Sequence, residues 1–445
     1  MKFSKSGRIV LALLVTSIVS LGITSCTSDY SIGYLYVTGT SANNTSGVSG
    51  EITGFKISNN TGALTPVAGS PFGSGGENPK RALVYSKTGR FLYVLNTGDA
   101  TTGAGGGVAL FFIGGAGSLT FQSLYTSQGT APQTIVSDST GAHLYVIDRY
   151  GPSTYADGFT PTPSPCVDST GVAHPLGAVT VFTVDASTGR LSIITNNQVK
   201  DPTHNNSNLS YFPLGCFPID AAVAQGNLYT IQQGTVATAD LQSVFTYSAL
   251  SSGQLVLTSN AVLPTNASNL TAISTDGATV YLLDAGPNPL SPSNLSYILP
   301  YQAGGTGGAL TIASGGIVQN DPSVQNPVAL LVEQGAHKFA YVANAGPDLS
   351  TVGNGSNSAI SAFNIVNSQL SLFTAQEPIP TGSSPRCIVE DPSNQYIYTA
   401  NHDSNNVTGH LLATKQGTLT PLRHASTSFS TGGNPTWCVV TGRLQ

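Results

Sequence analysis

Short apolar runs that contain a tyrosine recur seven times along the chain. They read YLYV at 34–37, FLYV at 91–94, HLYV at 143–146, NLYT at 227–230, TVYL at 279–282, FAYV at 339–342 and YIYT at 396–399. A polar turn and a leucine follow each run, at Leu64, Leu119, Leu191, Leu255, Leu310, Leu370 and Leu419. Units of several short strands repeating at about 50 residues are typical of propeller blades, because one blade alone cannot bury its apolar faces.

A further apolar strand belongs to each unit and is entered in most cases through proline. Its first residues are Pro79, Pro132, Pro218, Pro327, Pro385 and Pro435, with Asn269 standing in for proline once. We name the proline-led strand A, the tyrosine run B, and the two strands that follow C and D. The pattern predicts an all-β protein, a seven-bladed β-propeller of four-stranded antiparallel blades.

The ends of the chain predict how the ring closes. The first unit begins at its B strand, whereas the last element is an A strand, PTWCVV at 435–440. Pairing the C-terminal strand with the N-terminal strands completes one blade and removes the open sheet edges. Residues 33–445 are therefore expected to form a single propeller domain.

Composition agrees with many tight turns between strands and excludes one class of partner. The 445 residues include 50 glycines and 26 prolines, and only 8% are charged against 40% hydrophobic. The net charge is −5 and no run of lysine or arginine occurs, so nothing attracts the chain to a phosphate backbone. We expect no nucleic-acid partner.

The first 32 residues are interpreted as a targeting segment. Lys2, Lys5 and Arg8 precede an apolar stretch that is too short to span a membrane, and the whole reads as a signal peptide over residues 1–25. Residues 23–26, ITSC, resemble a lipobox whose cysteine, Cys26, would be acylated and followed by a linker over 26–32. The alternative is an ordinary signal peptide with a chance cysteine. Residue 27 is threonine rather than aspartate, so the expectation is a lipid-anchored protein of the bacterial outer membrane, attached only through its lipid.

Four other cysteines remain, an even number in an oxidising compartment. Cys387 and Cys438 lie just inside the A strands of neighbouring units and are expected to form a disulfide. That assignment leaves Cys166 to pair with Cys216. Four buried free thiols are the alternative.

Strand order divides the loops between two faces of the ring. In an antiparallel A-B-C-D blade the A–B and C–D hairpins share one face, and the B–C loops and D–A links share the other, which we call the mouth face. The long insertions 149–176 and 198–217 both belong to the mouth face, and the Cys166–Cys216 disulfide would join them. Long insertions on a rigid scaffold are often functional, so we expect a flap over one end of the channel, where a ligand would bind.

Polar residues near the start of the A strands are the candidate ligand-binding groups. The aligned set, in which every residue except Ala329 is polar, is Arg81, Gln133, Asp220, Asn269, Ala329, Arg386 and Thr436, to which Arg149 and Glu77 add nearby charges. Two guanidinium groups at a channel mouth suit a carboxylate or phosphate, because their planar forks match those anions. Alternatively, these residues only bond channel water and backbone.

His402, next to Asp403, and Asp148, next to Arg149, are the candidate catalytic residues at the same mouth. Asp148 belongs to a ring of Asn, Asp and Gln residues that end the B strands and are expected mostly to cap turns, and His402 directly follows another member of that ring, Asn401. Motifs for a nucleophile elbow, a zincin, a P-loop or a CxxC pair are missing from the sequence. No metal and no cofactor is expected.

Three segments resemble the lactonase-like family of seven-bladed propellers (YVTN-type repeats). They are SSPRCIVEDPSNQYIYTANHDSNNV at 383–407, KRALVYSKTGRFLYVLN at 80–96 and AVTVFTVDASTGRLS at 178–192. Members of this family hydrolyse phosphogluconolactone or lactonise carboxymuconate, so the resemblance implies an anionic lactone at the channel mouth. It also implies that Arg386 matches the arginine of the family's PRH phrase and that Arg81 takes the equivalent place in its own blade. The histidine of that phrase is replaced by Cys387, and the family's His-x-His is missing from GTAPQTIV at 129–136.

Together these features predict a lipid-anchored propeller that binds a small anionic molecule, or an envelope protein or glycan, and acts as a monomer. The alternative is an enzyme that hydrolyses a sugar lactone, with Arg81 and Arg386 holding the anion and His402 or Asp148 as base. A purely structural surface protein is the third possibility considered.

Overall fold

The computed structural model describes residues 30–41, 49–99, 103, 105–152, 166–168, 170–201, 207–232, 243–262, 269–286, 295–304, 307–347, 358–423 and 426–442. The signal peptide, Cys26 and most of the linker lie outside these residues, as do the central parts of both flap insertions. No helix in the described ranges is long and apolar enough to cross a membrane.

The two inner strands of each blade follow the predicted repeat. We number the blades 1 to 7 in the chain order of their B strands. The A strands, in the order of blades 2 to 7 and then 1, are Pro79–Val84, Thr130–Ser137, Pro218–Ala224, Leu270–Thr275, Pro327–Val332, Pro385–Glu390 and Gly433–Gly442. The B strands are Ser31–Ser41, Phe91–Asn96, His143–Tyr150, Asn227–Gln232, Thr279–Asp284, Phe339–Asn344 and Tyr396–Asn401.

The outer strands complete seven antiparallel sheets. The C strands are Ser49–Ser58, Gly107–Ile113, Ala178–Val184, Ser243–Ala249, Tyr297–Ala303, Ala359–Val366 and Asn406–Ala413. The D strands are Leu64–Pro66, Leu119–Tyr125, Leu191–Ile193, Leu255–Val262, Leu310–Ile312, Gln369–Leu372 and Thr418–Pro421. Short strands in five D–A links add to the C strands, at Phe72–Glu77, Phe212–Pro213, Val318–Gln319, Ile379–Pro380 and Ser428–Ser430. The predicted seven-bladed architecture is confirmed.

Blade 1 closes the ring with strands from both ends of the chain. Strand Ser31–Ser41 pairs on one side with Ser49–Ser58 and on the other with Gly433–Gly442. The predicted disulfide between Cys387 and Cys438 joins the A strands of blades 7 and 1, and both cysteines are almost fully buried. The closure by the C-terminal strand is therefore confirmed and is reinforced covalently.

The tyrosines of four B strands make a hydrogen bond to the neighbouring blade. The hydroxyls of Tyr36, Tyr93, Tyr341 and Tyr398 each donate to a glycine carbonyl in the C–D turn of the next blade, at 2.7–2.8 Å. Those glycines have positive φ angles, and a Cβ on Gly117 would lie 2.3 Å from the ring of Tyr34. Tyrosine and glycine positions of the repeat thus form one contact that fastens each of these blades to the next.

Candidate functional site

The mouth face begins with a register shift at the start of the A strands. Pro79 lies opposite Asn96, but Arg81 lies opposite Leu95, so Lys80 is an extra, bulged residue. The same bulge in blade 7 places Arg386 between Pro385 and Cys387. Arg386 therefore corresponds to Lys80, and Arg81 corresponds to Cys387. The expectation that the two arginines occupy equivalent positions is wrong by one residue, because the bulge inserts a residue that a strand count cannot see.

Arg81 is engaged by other protein groups. Its guanidinium lies 3.0 Å from the Asp220 carboxylate and 3.6 Å from the centre of the Trp437 ring. Asp220 is buried and also accepts the Ile273 amide at 3.3 Å. Asp220 was predicted to contact a ligand, but the structure makes it the counter-ion of Arg81.

Lys80 is not one of the residues that the repeat singles out, yet it lies close enough to Arg81 and Arg149 for their charges to act on it. Its ammonium donates to Gln133 Oε1 at 2.5 Å, and the Gln133 amide in turn donates to the Ala131 carbonyl at 2.6 Å. Burial lowers the pKa of Lys80 to about 8, assisted by the charges of Arg81 and Arg149 and opposed by Asp220.

The flap supplies the third cation, Arg149. Its guanidinium carbon lies 5.0 Å from the centre of the Phe217 ring, and its Nε donates to the Tyr150 hydroxyl at 3.3 Å. His174 stacks on Tyr150 with ring centres 4.6 Å apart. The predicted Cys166–Cys216 disulfide is formed and ties the short hairpin of Cys166–Val167 and Ala173–His174 to the residue before Phe217.

We call Lys80, Arg81 and Arg149 the mouth cluster. Asp220 is the carboxylate whose charge acts on Lys80 within the described residues, and it is already paired with Arg81. Two guanidinium groups and an ammonium group thus lie on this side of the mouth, and groups of this kind match carboxylates and phosphates.

His402 and Asp403 form an acid–base pair on the mouth face of blade 7. His402 Nδ1 and Asp403 Oδ1 are 2.6 Å apart, and the Ser384 hydroxyl donates to the other carboxylate oxygen. Burial opposes ionisation of Asp403, but the hydrogen bonds from Ser384 and His402, with the charges of His402 and Arg386, lower its pKa. An ionised Asp403 only accepts, so Nδ1 carries the proton and Nε2 is left as a base.

One inner strand separates this pair from the mouth cluster. The A strand of blade 1 packs between those of blades 7 and 2. Asn434 Nδ2 donates to the His402 carbonyl at 3.1 Å, and the Thr436 hydroxyl donates to the Pro79 carbonyl at 2.7 Å. The exposed Arg386 lies on the same side, close enough for its charge to act on Asp403. A ligand lying across blade 1 would therefore meet cations on one side and the base on the other.

Asp148 is not positioned to act as a base on a ligand. Its side chain is fully buried and accepts hydrogen bonds from the Ser127 hydroxyl at 2.8 Å and the Gly129 amide at 3.2 Å. Burial raises its pKa to about 7. Asp148 thus fixes the link between blades 2 and 3, which corrects the prediction of a catalytic role.

Two further candidates sit in D–A links. Asn269 does not take the place of the proline, since Leu270 lies opposite Asp284 as Pro79 lies opposite Asn96. The backbone amide of Asn269 instead donates to Asp284 Oδ1 at 2.9 Å. Glu77 ends the link into blade 2, where its Cγ would be 2.9 Å from a Cβ on Gly105.

In blade 1 the contact that Asp148 and Asp284 make with their D–A links is made by a residue of a different strand, which the repeat does not reveal. Gly39 occupies the position that carries Asn, Asp or Gln in the other blades, and it lies opposite Glu51 of the neighbouring strand. The Glu51 carboxyl is buried and reaches the D–A link, where a Cβ on Gly432 would be 2.1 Å away. A side chain from the C strand thus fills the place that a B-strand side chain fills elsewhere.

A family model described as "Lactonase, 7-bladed beta-propeller" matches residues 35–153 and 312–440. No curated protein sequence matches the chain significantly. Among solved structures, a Lactobacillus plantarum protein aligns with a TM-score of 0.61 and 18% identity, over 93% of this chain and 100% of its own. A putative 6-phosphogluconolactonase of Bacteroides fragilis aligns with a TM-score of 0.60 and 15% identity, over 94% of this chain and 99% of its own. The periplasmic gluconolactonase PpgL of Pseudomonas aeruginosa aligns with a TM-score of 0.60 and 17% identity, over 93% of this chain and 100% of its own.

Proposed function

This chain belongs to the lactonase family of seven-bladed β-propellers, and we propose on that premise that it hydrolyses a small anionic lactone at its channel mouth. The observation that carries the proposal is the mouth cluster together with the His402–Asp403 pair one strand away. A lactone that carries a carboxylate or phosphate needs cations for its charge and a base for its water.

Each group has a chemical role in the proposed reaction. Lys80 and Arg149 hold the anionic group, and Arg386 stabilises negative charge that develops on the lactone carbonyl. His402 Nε2 accepts a proton from water, whose oxygen bonds to the carbonyl carbon. The ring C–O bond then breaks, and the imidazolium returns the proton to the leaving oxygen. Asp403 stabilises the imidazolium, as the ionised partner of a base does in other hydrolases.

The test is hydrolysis of a lactone panel, including a phosphorylated sugar lactone, by the chain beginning at residue 27, which retains every described strand. We expect His402→Gln to lower kcat by roughly 10²-fold or more, since general-base catalysis contributes about 10²–10⁴. Arg386→Ala should lower kcat/KM by about 10²-fold, as loss of a charge-stabilising donor does. His337→Gln is the matched control, because His337 is an exposed histidine in the A–B hairpin of blade 6, on the opposite face. Equal rates for His402→Gln and the unaltered chain would exclude this mechanism.

Anion binding without turnover is the second candidate. It is favoured by Cys387, which occupies the family's histidine position and is held in a disulfide. Calorimetry with 6-phosphogluconate separates the candidates if no lactone is turned over. Binding that weakens in Arg149→Gln would support a binding protein for small anions, and no heat of binding would direct the search to an envelope protein or glycan.

We further propose that Cys26 is acylated and anchors the propeller to the outer membrane of the cell envelope. The support is the positive and apolar leader that ends in ITSC. Cells grown with labelled palmitate should incorporate label into the unaltered chain and not into Cys26→Ser. Release of the variant into the soluble periplasmic fraction is expected, whereas an unlabelled wild-type chain would contradict the anchor.

A further inference from the structure

Three side chains form a bar across the central channel, one level below the mouth. Arg81 of blade 2 pairs with Asp220 of blade 4 at 3.0 Å, and its guanidinium carbon lies 3.6 Å from the centre of the Trp437 ring in blade 1. Each of the three is the first residue after the bulge in its A strand. Asp220 also accepts the amides of Ala221 at 3.0 Å and Ile273 at 3.3 Å. The bar is therefore anchored on blades 1, 2, 4 and 5.

A cavity of about 420 Å³ lies below the bar, between the A strands of all seven blades. Arg81, Asp220 and Trp437 line its mouth-side end. Ser137 and Thr275, the last residues of their A strands, line the end toward the A–B hairpins. Of the mouth cluster, only Arg81 contributes to this lining. The cavity is therefore a second candidate site, on the other side of the bar from the proposed lactone site.

The walls of the cavity are largely apolar. Side chains from five blades line it and are only partly buried; they are Leu83, Val136, Val223, Val389 and Val439. Arg81 and Asp220 are the charged residues in the described lining, and they pair with each other. Covering exposed apolar walls is favourable, whereas an ion would lose its hydration without gaining an unpaired counter-charge. This lining therefore favours an uncharged ligand with an apolar body.

We propose that the channel binds an uncharged amphiphile, an aliphatic chain of about eight carbons that carries one hydroxyl or carbonyl oxygen. A cavity of about 150 Å³ holds benzene, so one of 420 Å³ suits a molecule roughly two to three times as large. The chain lies against the valine and leucine side chains of the walls. The ion pair with Asp220 involves one nitrogen of the Arg81 guanidinium, whose further N–H groups are donors for the ligand oxygen.

Trp437 makes the proposal directly testable, because it is the single tryptophan of the chain and lines the cavity. Octan-1-ol is titrated into the chain beginning at residue 27 while tryptophan emission is recorded, and we expect a saturable change. Each buried methylene strengthens binding about four-fold, so hexan-1-ol should bind roughly 15-fold more weakly. Octanoate at neutral pH should bind at least about ten-fold more weakly than octan-1-ol, because its carboxylate finds Arg81 already paired.

A matched pair of variants locates the binding site. Val389→Phe fills part of the cavity and should weaken octan-1-ol binding about ten-fold or more. Val366→Phe is the control, because Val366 is 60% exposed and lies outside the lining. Thermal melts followed by circular dichroism show whether Val389→Phe folds, and the comparison of ligands on the unaltered chain decides the question if it does not.

Four results would each overturn the proposal. They are no saturable change up to the solubility limit of octan-1-ol, equal affinities for hexan-1-ol and octan-1-ol, octanoate binding as tightly as the alcohol, and undiminished binding by a folded Val389→Phe. Because the readout is the binding of an uncharged molecule, its result does not depend on whether lactones are hydrolysed at the mouth.

Discussion

The two disulfides allow the chain's closure to be tested by a matched pair of variants. Cys387–Cys438 spans 51 residues of sequence and Cys166–Cys216 spans 50, so the unfolded chain loses nearly the same entropy from each. The chain-entropy relation gives about 4 kcal/mol for a loop of this length. Any large difference between the two variants must then arise in the folded protein.

The two disulfides have different surroundings in the folded protein. The Cys387–Cys438 bond joins the A strands of blades 7 and 1 inside the ring, where the cysteines are at most 1% exposed. Its replacement by two alanines should cost the full ~4 kcal/mol, because the strands cannot separate without opening the ring. The Cys166–Cys216 bond holds a flap whose hairpin can detach while the propeller stays closed. Once that bond is removed the flap can also open in the folded protein, and the entropy gained there offsets part of the ~4 kcal/mol, so the loss should be roughly 1–2 kcal/mol.

Differential scanning calorimetry provides the measurement. With an unfolding entropy of about 2.1 cal/mol/K per residue, ~4 kcal/mol lowers the Tm of a domain of this size by roughly 5 °C. We expect that shift for Cys387→Ala with Cys438→Ala, and less than half of it for Cys166→Ala with Cys216→Ala. Equal shifts would refute the reasoning, since they would show that the crosslinks affect stability only through the entropy of the unfolded chain.

Three other predictions follow from single contacts. Deleting residues 433–442 removes the strand that pairs with Ser31–Ser41, and we expect loss of the folded β signal in circular dichroism and aggregation in size-exclusion chromatography; a folded monomer would contradict the closure. Gly117→Ala should lower the free energy of unfolding by several kcal/mol and Gly226→Ala by about 1 kcal/mol. Both glycines have positive φ, but only a Cβ on Gly117 meets a ring, that of Tyr34. Urea unfolding measures both losses, and equal losses would refute the clash. Burial raises the pKa of Asp148 to about 7, so its protonated form is favoured on folding and the stability it contributes is present at acidic pH and lost as the pH rises through about 7. Asp148→Asn should therefore make the Tm depend less on pH between 5 and 8, and an unchanged pH profile would argue against it.

The sequence predicts which face carries the candidate site and several of its residues, but not the contacts that those residues make. The mouth face, the flap disulfide and the His402–Asp403 pair all follow from strand order and from which residues end each strand. Lys80 could have been found from its place directly after Pro79, the position that Arg386 holds after Pro385. The apolar pattern does not reveal this equivalence, because a β-bulge adds a residue without changing the pattern on either side.

Charged side chains were the hardest to assign, because their partners come from other blades. Arg81 and Asp220 lie in blades 2 and 4, and nothing in either strand shows that they pair. Asp148 looked available because it stands next to Arg149, yet it is buried against the preceding link. Glu51 takes a capping position that the repeat leaves empty at Gly39.

The repeat in the sequence predicts the seven blades and their closure by the C-terminal strand, because blades of short apolar strands bury their faces only when they close into a ring. It also indicated the cysteine pairing, which the structure confirms. The tyrosine and glycine positions carry part of the information on the blades locally, because they form the same contact between four pairs of neighbouring blades. The charges that meet at the mouth become apparent only in the folded protein. That outcome depends on side chains from separate blades, on a bulge of one residue and on the flap, and electrostatic contacts of this kind have no period along the chain.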